Sequence, residues 1–402
     1  MIHSASEPQA LNCEETMEDL FNKTLPTEIL EKVFSLLPHN DLKTVMLVCK
    51  KWNEVGESPC LWTWARFRLD LSDFENQAWP DPLGKMEVTR LQAGMLTICD
   101  NFETQKNVGG EVAEFLQAAL KRPDLKRLCF DCVDLTPVES KLMVEVLTNL
   151  EEVTLQATNI SCEQSTSLLI ALEGETRLRA LHLDSANLSE VPPTVLPRAV
   201  NKLRELGING DSLTFDQMDA LYRTLARGTR LRKLTLTNSS LFGVDAEVVG
   251  KVATQVEELQ LVNCGLTRQQ GEAIFGAIKV GGKLKVLELK DDCLSKMDPQ
   301  IMAIGVNRLL RVVLGSTEDQ LYHLKNIQMR KILTQSLQST SLKMLKLGSV
   351  DLGYIVNGIW DEELITKAKE VIPNITYSEF QYPSNGQKPI RHYLDPSLKF
   401  EL

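Results

Sequence analysis

Few residues in this chain of 402 stand at a spacing that could do chemistry. Cys129-Phe130-Asp131-Cys132 has the C-x-x-C spacing of a zinc or redox pair, but no second pair and no nearby histidine accompanies it. The five histidines, His3, His39, His182, His323 and His392, are scattered. The sequence holds neither a Walker-type glycine-rich phosphate loop nor a G-x-S-x-G nucleophile elbow. No catalytic residue, metal ligand or cofactor is therefore expected. The chemistry left to the chain is recognition. Its candidate contacts are His182, Asp184, Arg204, Asn209, Arg232, Thr235, Asn238, Gln260, Lys285, Glu288, Leu310 and Val313.

Those residues stand inside one recurring pattern: L-x-x-L-x-L, then an apolar residue five positions later. It starts at Leu125, Leu150, Leu178, Leu203, Leu231, Val256 and Leu284, with a weaker copy at Leu309 and a further one at Leu342. The starts advance by 25, 28, 25, 28, 25, 28 and 25 residues, then by 33. Degenerate copies flank the array near Gly94–Ile98 and Ile372–Tyr377. Alternation within the pattern predicts a short strand with one buried face. The intervening segments, such as TFDQMDALYRTLARG and TRQQGEAIFGAIKVGG, have helical period, and the second opens on a Thr cap and ends at glycines. One strand–helix unit cannot bury its own leucines, so the units must stack. Stacking gives a curved parallel sheet inside and helices outside. Alternating steps of 25 and 28 predict two unit types duplicated as a pair, with the extra turn in the longer unit's helix. Thr158, Ala186, Asp211 and Ser239 replace the usual Asn or Cys of the polar ladder, so that spine is expected to be irregular. The whole resembles a leucine-rich-repeat solenoid.

On the concave sheet, residues between the leucines face solvent. The second position of successive units carries Lys126, Glu151, Arg179, Arg204, Arg232, Glu257, Lys285, Leu310 and Lys343. Glu151 stands between Lys126 and Arg179, and Glu257 between Arg232 and Lys285, about 4.8 Å from their neighbours, so sideways pairing is expected. Such exposed pairs contribute about 0–1 kcal/mol each. Two readings stand: a self-neutralising ladder that keeps the sheet soluble, or contacts for a bound protein. Farther along, Val262, Val286, Leu310, Val313 and Met344 put apolar groups on the C-terminal half. That patch either receives a partner or is covered by the tail from Phe380, with Tyr382, Ile390, Tyr393, Leu394 and Phe400.

Composition bounds the rest. No run approaches a membrane span, and the first fifteen residues lack the basic start and apolar core of a signal peptide. A net charge of −10 argues against general nucleic-acid binding. Nine scattered cysteines fit reduced thiols, hence a cytoplasmic or nuclear protein. Residues 1–20 hold five acidic residues and no Lys or Arg, which predicts a disordered acidic tail.

Ahead of the repeats, Leu25 to Trp62 reads LPTEILEKVFSLLPHNDLKTVMLVCKKWNEVGESPCLW. Pro26 suits a first helical turn, and Ile29, Leu30, Val33, Phe34 and Leu37 recur at helical steps. Pro38 stops that helix, and Asn40 or Asp41 is expected to cap the next, which buries Leu42, Val45, Met46, Val48 and Cys49. About forty residues cannot bury so much apolar surface alone. This order of residue types resembles an F-box, the adaptor-docking module of Skp–cullin–F-box ubiquitin ligases. The resemblance implies that Leu25, Pro26, Ile29, Phe34, Leu37, Asp41, Leu42, Val48 and Trp52 contact a Skp-type adaptor or shape the surface it meets. It implies a cullin and a RING subunit beyond that adaptor, a protein substrate on the repeats, and ubiquitin transfer by other subunits. A non-degradative scaffold or inhibitor tethered through the module is the alternative. The expected division is an acidic tail at 1–20, the F-box at 21–68, a linker packing on the first repeat at 69–92, the solenoid at 93–378 and a C-terminal tail at 379–402.

Overall fold

The computed structural model describes residues 25–37, 39–62, 66–70, 95–99, 109–184, 188–210, 213–315, 324–339, 341–351, 362–372, 374–381 and 390–393. Among the described residues, four helices come first: α1 (Thr27–Phe34), α2 (His39–Val45), α3 (Lys50–Gly56) and α4 (Pro59–Trp62). Their small core is Leu30, Phe34, Leu42, Met46, Val55 and Leu61. α2 begins at His39, so Asn40 and Asp41 lie in its first turn and do not cap it from outside. An acid there still favours the helix, because the first turn carries the positive end of the dipole.

Strand and helix then alternate. β1 (Arg66–Asp70) and β2 (Met95–Cys99) lead into α5 (Gly109–Leu120), β3 (Arg127–Asp131), α6 (Ser140–Asn149), β4 (Glu152–Gln156) and α7 (Cys162–Ala171). β5 (Ala180–Asp184), α8 (Val195–Val200), β6 (Glu205–Asn209), α9 (Phe215–Arg227), β7 (Lys233–Thr237) and α10 (Ala246–Gln255) follow. Next come β8 (Glu258–Val262), α11 (Arg268–Val280), β9 (Val286–Lys290), α12 (Pro299–Val306), β10 (Arg311–Gly315), β11 (Leu324–Lys325) and α13 (Asn326–Ser336). β12 (Met344–Asp351), α14 (Glu362–Val371), β13 (Asn374–Gln381) and β14 (Ile390–Tyr393) complete the order. The strands form one sheet in chain order, parallel until β14, which runs antiparallel to β13. β11 pairs only with β12. The sheet therefore reaches past the expected limits of 93 and 378 at both ends. β1 lacks the L-x-x-L-x-L signature, but a parallel strand needs only extended backbone and a free edge, and β2 supplies the edge.

The 25/28 alternation follows helix length in two of its three longer units. The 28-residue units from Leu203 and Val256 carry the 13-residue helices α9 and α11, while the 25-residue units from Leu178 and Leu231 carry α8 and α10, of 6 and 10 residues. The 28-residue unit from Leu150 departs from the expectation: α7 has 10 residues, as α6 has in the 25-residue unit before it, so its extra residues lie outside the helix. Three of the longer units share a capping box: Ser161 with Gln164, Thr214 with Gln217, Thr267 with Gln270. Each glutamine side chain accepts from the backbone N–H of its cap residue and turns its amide into the core. There it donates to two carbonyls of the preceding unit: Leu135 and Val138, Leu188 and Val191, or Leu241 and Val244. Gln328 repeats the contact on Leu294 and Met297. One side chain thus closes a helix and ties down two buried carbonyls at the ends of the preceding loop. Two of the four substituted positions of the polar spine, Thr158 and Ser239, still bond across units; Ala186 and Asp211 lie outside the described residues. Thr158 donates to the Phe130 carbonyl at 3.0 Å, and Ser239 to the Gly210 carbonyl at 3.2 Å. Cys264 donates from Sγ to the Leu236 carbonyl, and burial pushes its thiol up to about 12, so it serves as a structural thiol.

Candidate functional site

In the N-terminal helices, α1 and the turn that follows it carry two apolar stripes side by side. Leu30, Phe34 and Leu37 point into the small core, while Ile29, Val33 and Leu36 follow the same i, i+4, i+7 rhythm one position earlier and stay exposed. Leu47 and Val48, in the turn after α2, are exposed as well, Leu47 to 85%. The core side is fixed firmly. Phe34 meets Trp52 edge to face at 5.4 Å, and Lys51 Nζ donates to the Leu25 carbonyl at 2.7 Å. Gly56 lets α3 approach Met46, since a Cβ there would lie 2.9 Å from the methionine sulfur. The residues expected to serve a partner thus divide. Phe34 and Leu42 are buried, Leu25, Leu37 and Trp52 are half-buried against the core, and Pro26, Ile29, Asp41 and Val48 face solvent. Val33, Leu36 and Leu47 join the exposed group.

On the repeats, backbone register aligns His182, Gly207, Thr235, Gln260, Glu288 and Val313 in one row across β5 to β10. Five of the twelve expected contacts stand in that row, and five of the twelve, Asp184, Asn209, Asn238, Thr235 and Gln260, are hydrogen-bonded to one another. Asn209 donates to Asp184 at 2.9 Å, Asn238 to Asn209 at 3.1 Å, and Asn263 to Asn238 at 2.8 Å. Asn238 and Asn263 hold positive φ, which asparagine tolerates better than most residues. Thr235 donates to Gln260 at 2.9 Å, and Lys290 pairs with Glu288 at 2.7 Å. His182 leans over Gly207, where any side chain would strike its ring. Burial, with Lys233 nearby, lowers the His182 pKa to about 4, so the ring is neutral at neutral pH. Val313 is half-buried and Leu310 exposed.

The charged edge separates into two behaviours. Lys126 pairs with Glu151 at 3.1 Å, and Glu257 takes both Arg232 at 3.7 Å and Lys285 at 2.8 Å. Lys285, with a smaller effect from Arg232, holds the Glu257 carboxyl below its ordinary range. The expected Arg179–Glu151 pair does not form; Arg179 donates instead to the Thr176 and Leu178 carbonyls, closer to its own strand. Arg204 has no carboxylate partner among the described residues.

Cys129 is buried on β3 and Cys132 follows the strand at positive φ with its thiol on Asp131. No group of three or more metal-ligating side chains occurs among the described residues. No described helix is long and apolar enough to cross a membrane. In the tail, β14 adds a strand to the sheet edge, so Ile390 and Tyr393 extend the sheet at its end; Tyr382, Leu394 and Phe400 lie outside the described residues.

The F-box-like family matches residues 23–68, and that segment is an F-box-like domain. No curated protein matches the chain. Among solved structures, the yeast Rad7–Elc1 complex aligns over 93% of this chain and 92% of its own, at 17% identity and a TM-score of 0.45. A Bacteroides fragilis protein aligns over 77% and 72%, at 13% identity and a TM-score of 0.33. Scores this low carry no argument about fold or function.

Proposed function

We propose that this chain is the substrate-recognition subunit of a Skp–cullin–F-box ubiquitin ligase. The F-box-like domain docks a Skp-type adaptor, which connects it to a cullin and a RING subunit, and the repeat array holds a target protein. One observation carries the reading: an F-box-like domain that keeps Ile29, Val33, Leu36, Leu47 and Val48 exposed beside a complete core of its own. So many exposed large apolar side chains on so small a unit suit a partner's surface. The chain itself does no bond chemistry in this scheme. It raises the target's effective concentration near the ubiquitin-charged enzyme. The eight described cysteines are all free, in keeping with a reducing cytoplasm or nucleus.

Co-purification with a Skp-type adaptor tests the docking step. Wild type is expected to retain the adaptor, and both Leu25→Ala with Pro26→Ala and Ile29→Asp with Val48→Asp to lose it. Equal recovery by all three contradicts the assignment. Receptor and tethered scaffold are separated by the half-life of a captured protein, which shortens in the presence of this chain only if it is a receptor and the proteasome is active.

A further inference from the structure

Along the edge where the strands begin, cations and carboxylates neutralise one another at Lys126–Glu151 and at Arg232–Glu257–Lys285. Between these points the compensation stops. Arg177, Arg179, Arg204 and Arg230 are exposed, and none has a carboxylate partner among the described residues. Arg179 and Arg204 are direct neighbours across the sheet, since the Arg204 N–H donates to the Arg179 carbonyl at 2.7 Å and the Arg232 N–H to the Arg204 carbonyl at 2.6 Å. Like charges on adjacent strands repel. The nearby acids are committed elsewhere: Glu173 to Arg198, Glu175 to Lys202, Glu257 to Arg232 and Lys285, while Glu205 sits half-buried in β6. Helix dipoles account for a cation in a last turn, such as Arg227 of α9. They do not account for Arg179 and Arg204, which stand beyond the helices at the starts of β5 and β6.

We infer that this arginine edge is the seat of an acidic, carboxylate-rich segment of the target protein. The inference rests on the receptor role proposed above and adds the class of target to it. Charge complementarity makes the argument. A chain of net charge −10 repels acidic partners everywhere except at a local basic strip. The arginines are spread over three successive strands, about 10 Å of edge, and do not converge on a point. That layout matches a run of carboxylates better than a single phosphate. Guanidinium is also the weakly hydrated cation that takes carboxylates two-pronged.

The test uses the purified full-length chain and a fluorescein-labelled poly-glutamate peptide. Wild type is expected to bind it with an affinity that falls steeply with salt, and Arg179→Glu with Arg204→Glu to weaken binding at least about tenfold, or about 1.4 kcal/mol. Lys121→Glu with Lys141→Glu, the same charge change away from this edge, is expected to leave it unchanged. Matching thermal unfolding of all three keeps loss of fold out of the comparison. No binding by wild type, or equal loss in both variants, overturns the inference. So does tighter binding of a singly phosphorylated neutral peptide, of anionic phosphatidylserine vesicles or of single-stranded DNA. Because no adaptor is present, failure here leaves the docking assignment standing, and loss of adaptor capture leaves this binding untouched.

Discussion

Among the described side chains of residues 25–62, five large apolar ones face solvent: Ile29, Val33, Leu36, Leu47 and Val48. Across the far longer stretch of described residues from 109 to 372 there are seven, Ile170, Phe215, Phe242, Val280, Leu310, Ile327 and Val371, dispersed among many units. The repeats achieve this by stacking, since every unit closes the core of the one before it. Among the described residues, the F-box-like domain has no such neighbour for its second stripe. Two solutions to the same problem sit in one chain. The array completes its core with its own next copy, and the domain keeps an apolar stripe exposed.

That contrast can be broken by substitution, beginning with the largest effect. Phe34→Ala removes the ring packed on Trp52 and should cost about 3–5 kcal/mol, more than a domain this small can lose. Hydrogen exchange should then show residues 25–62 unprotected and β3 to β10 still protected. Simultaneous loss in both would mean that the two regions are one cooperative unit. In the array, Gln217→Ala deletes a capping-box partner and strands the Val191 carbonyl, while the Leu188 carbonyl keeps only the backbone N–H of Val191. The expected loss is about 2–3 kcal/mol in urea unfolding, centred on the units around α8 and α9. Gln217→Glu should fare no better, because a carboxylate cannot donate to carbonyls.

A smaller effect follows from His182. Its pKa is about 4 in the folded chain against an ordinary value of 6.5, so the unfolded chain binds the extra proton first. The stability that the neutral ring contributes is complete above about pH 6.5 and is lost as pH falls toward 4. His182→Gln should flatten the urea midpoint across that window, and an unchanged slope would show that the ring is not held neutral. Smallest of all on stability is Ile29→Asp, expected within about 0.5 kcal/mol of wild type because the side chain already faces solvent.

Much of this was readable from residue spacing. L-x-x-L-x-L marks the strands from β3 to β10 and β12, and the 25/28 steps announce the longer helices of α9 and α11. The pairs Lys126–Glu151, Arg232–Glu257 and Glu257–Lys285 were also visible, because parallel register puts equal positions side by side. Other features needed coordinates. S/T-x-x-Q at 161, 214 and 267 signals a cap, but nothing local reveals that the same glutamine amide satisfies a loop 26 to 29 residues earlier. The asparagine chain from Asp184 to Asn263 spans four units and draws expected contact residues into the fold itself. In α1, stripes 29/33/36 and 30/34/37 have the same rhythm, so periodicity alone cannot say which faces inward. Helix-to-helix packing decided it, and added Leu36 and Leu47 to the exposed surface.

The most direct test of the central claim is hydrogen exchange on the full-length chain with and without a Skp-type adaptor. Adaptor is expected to slow exchange in the amides of α1 and of the turn around Leu47 and Val48, and to leave β3 to β10 unchanged. Slowing confined to the repeats, or none anywhere at saturating adaptor, would contradict it.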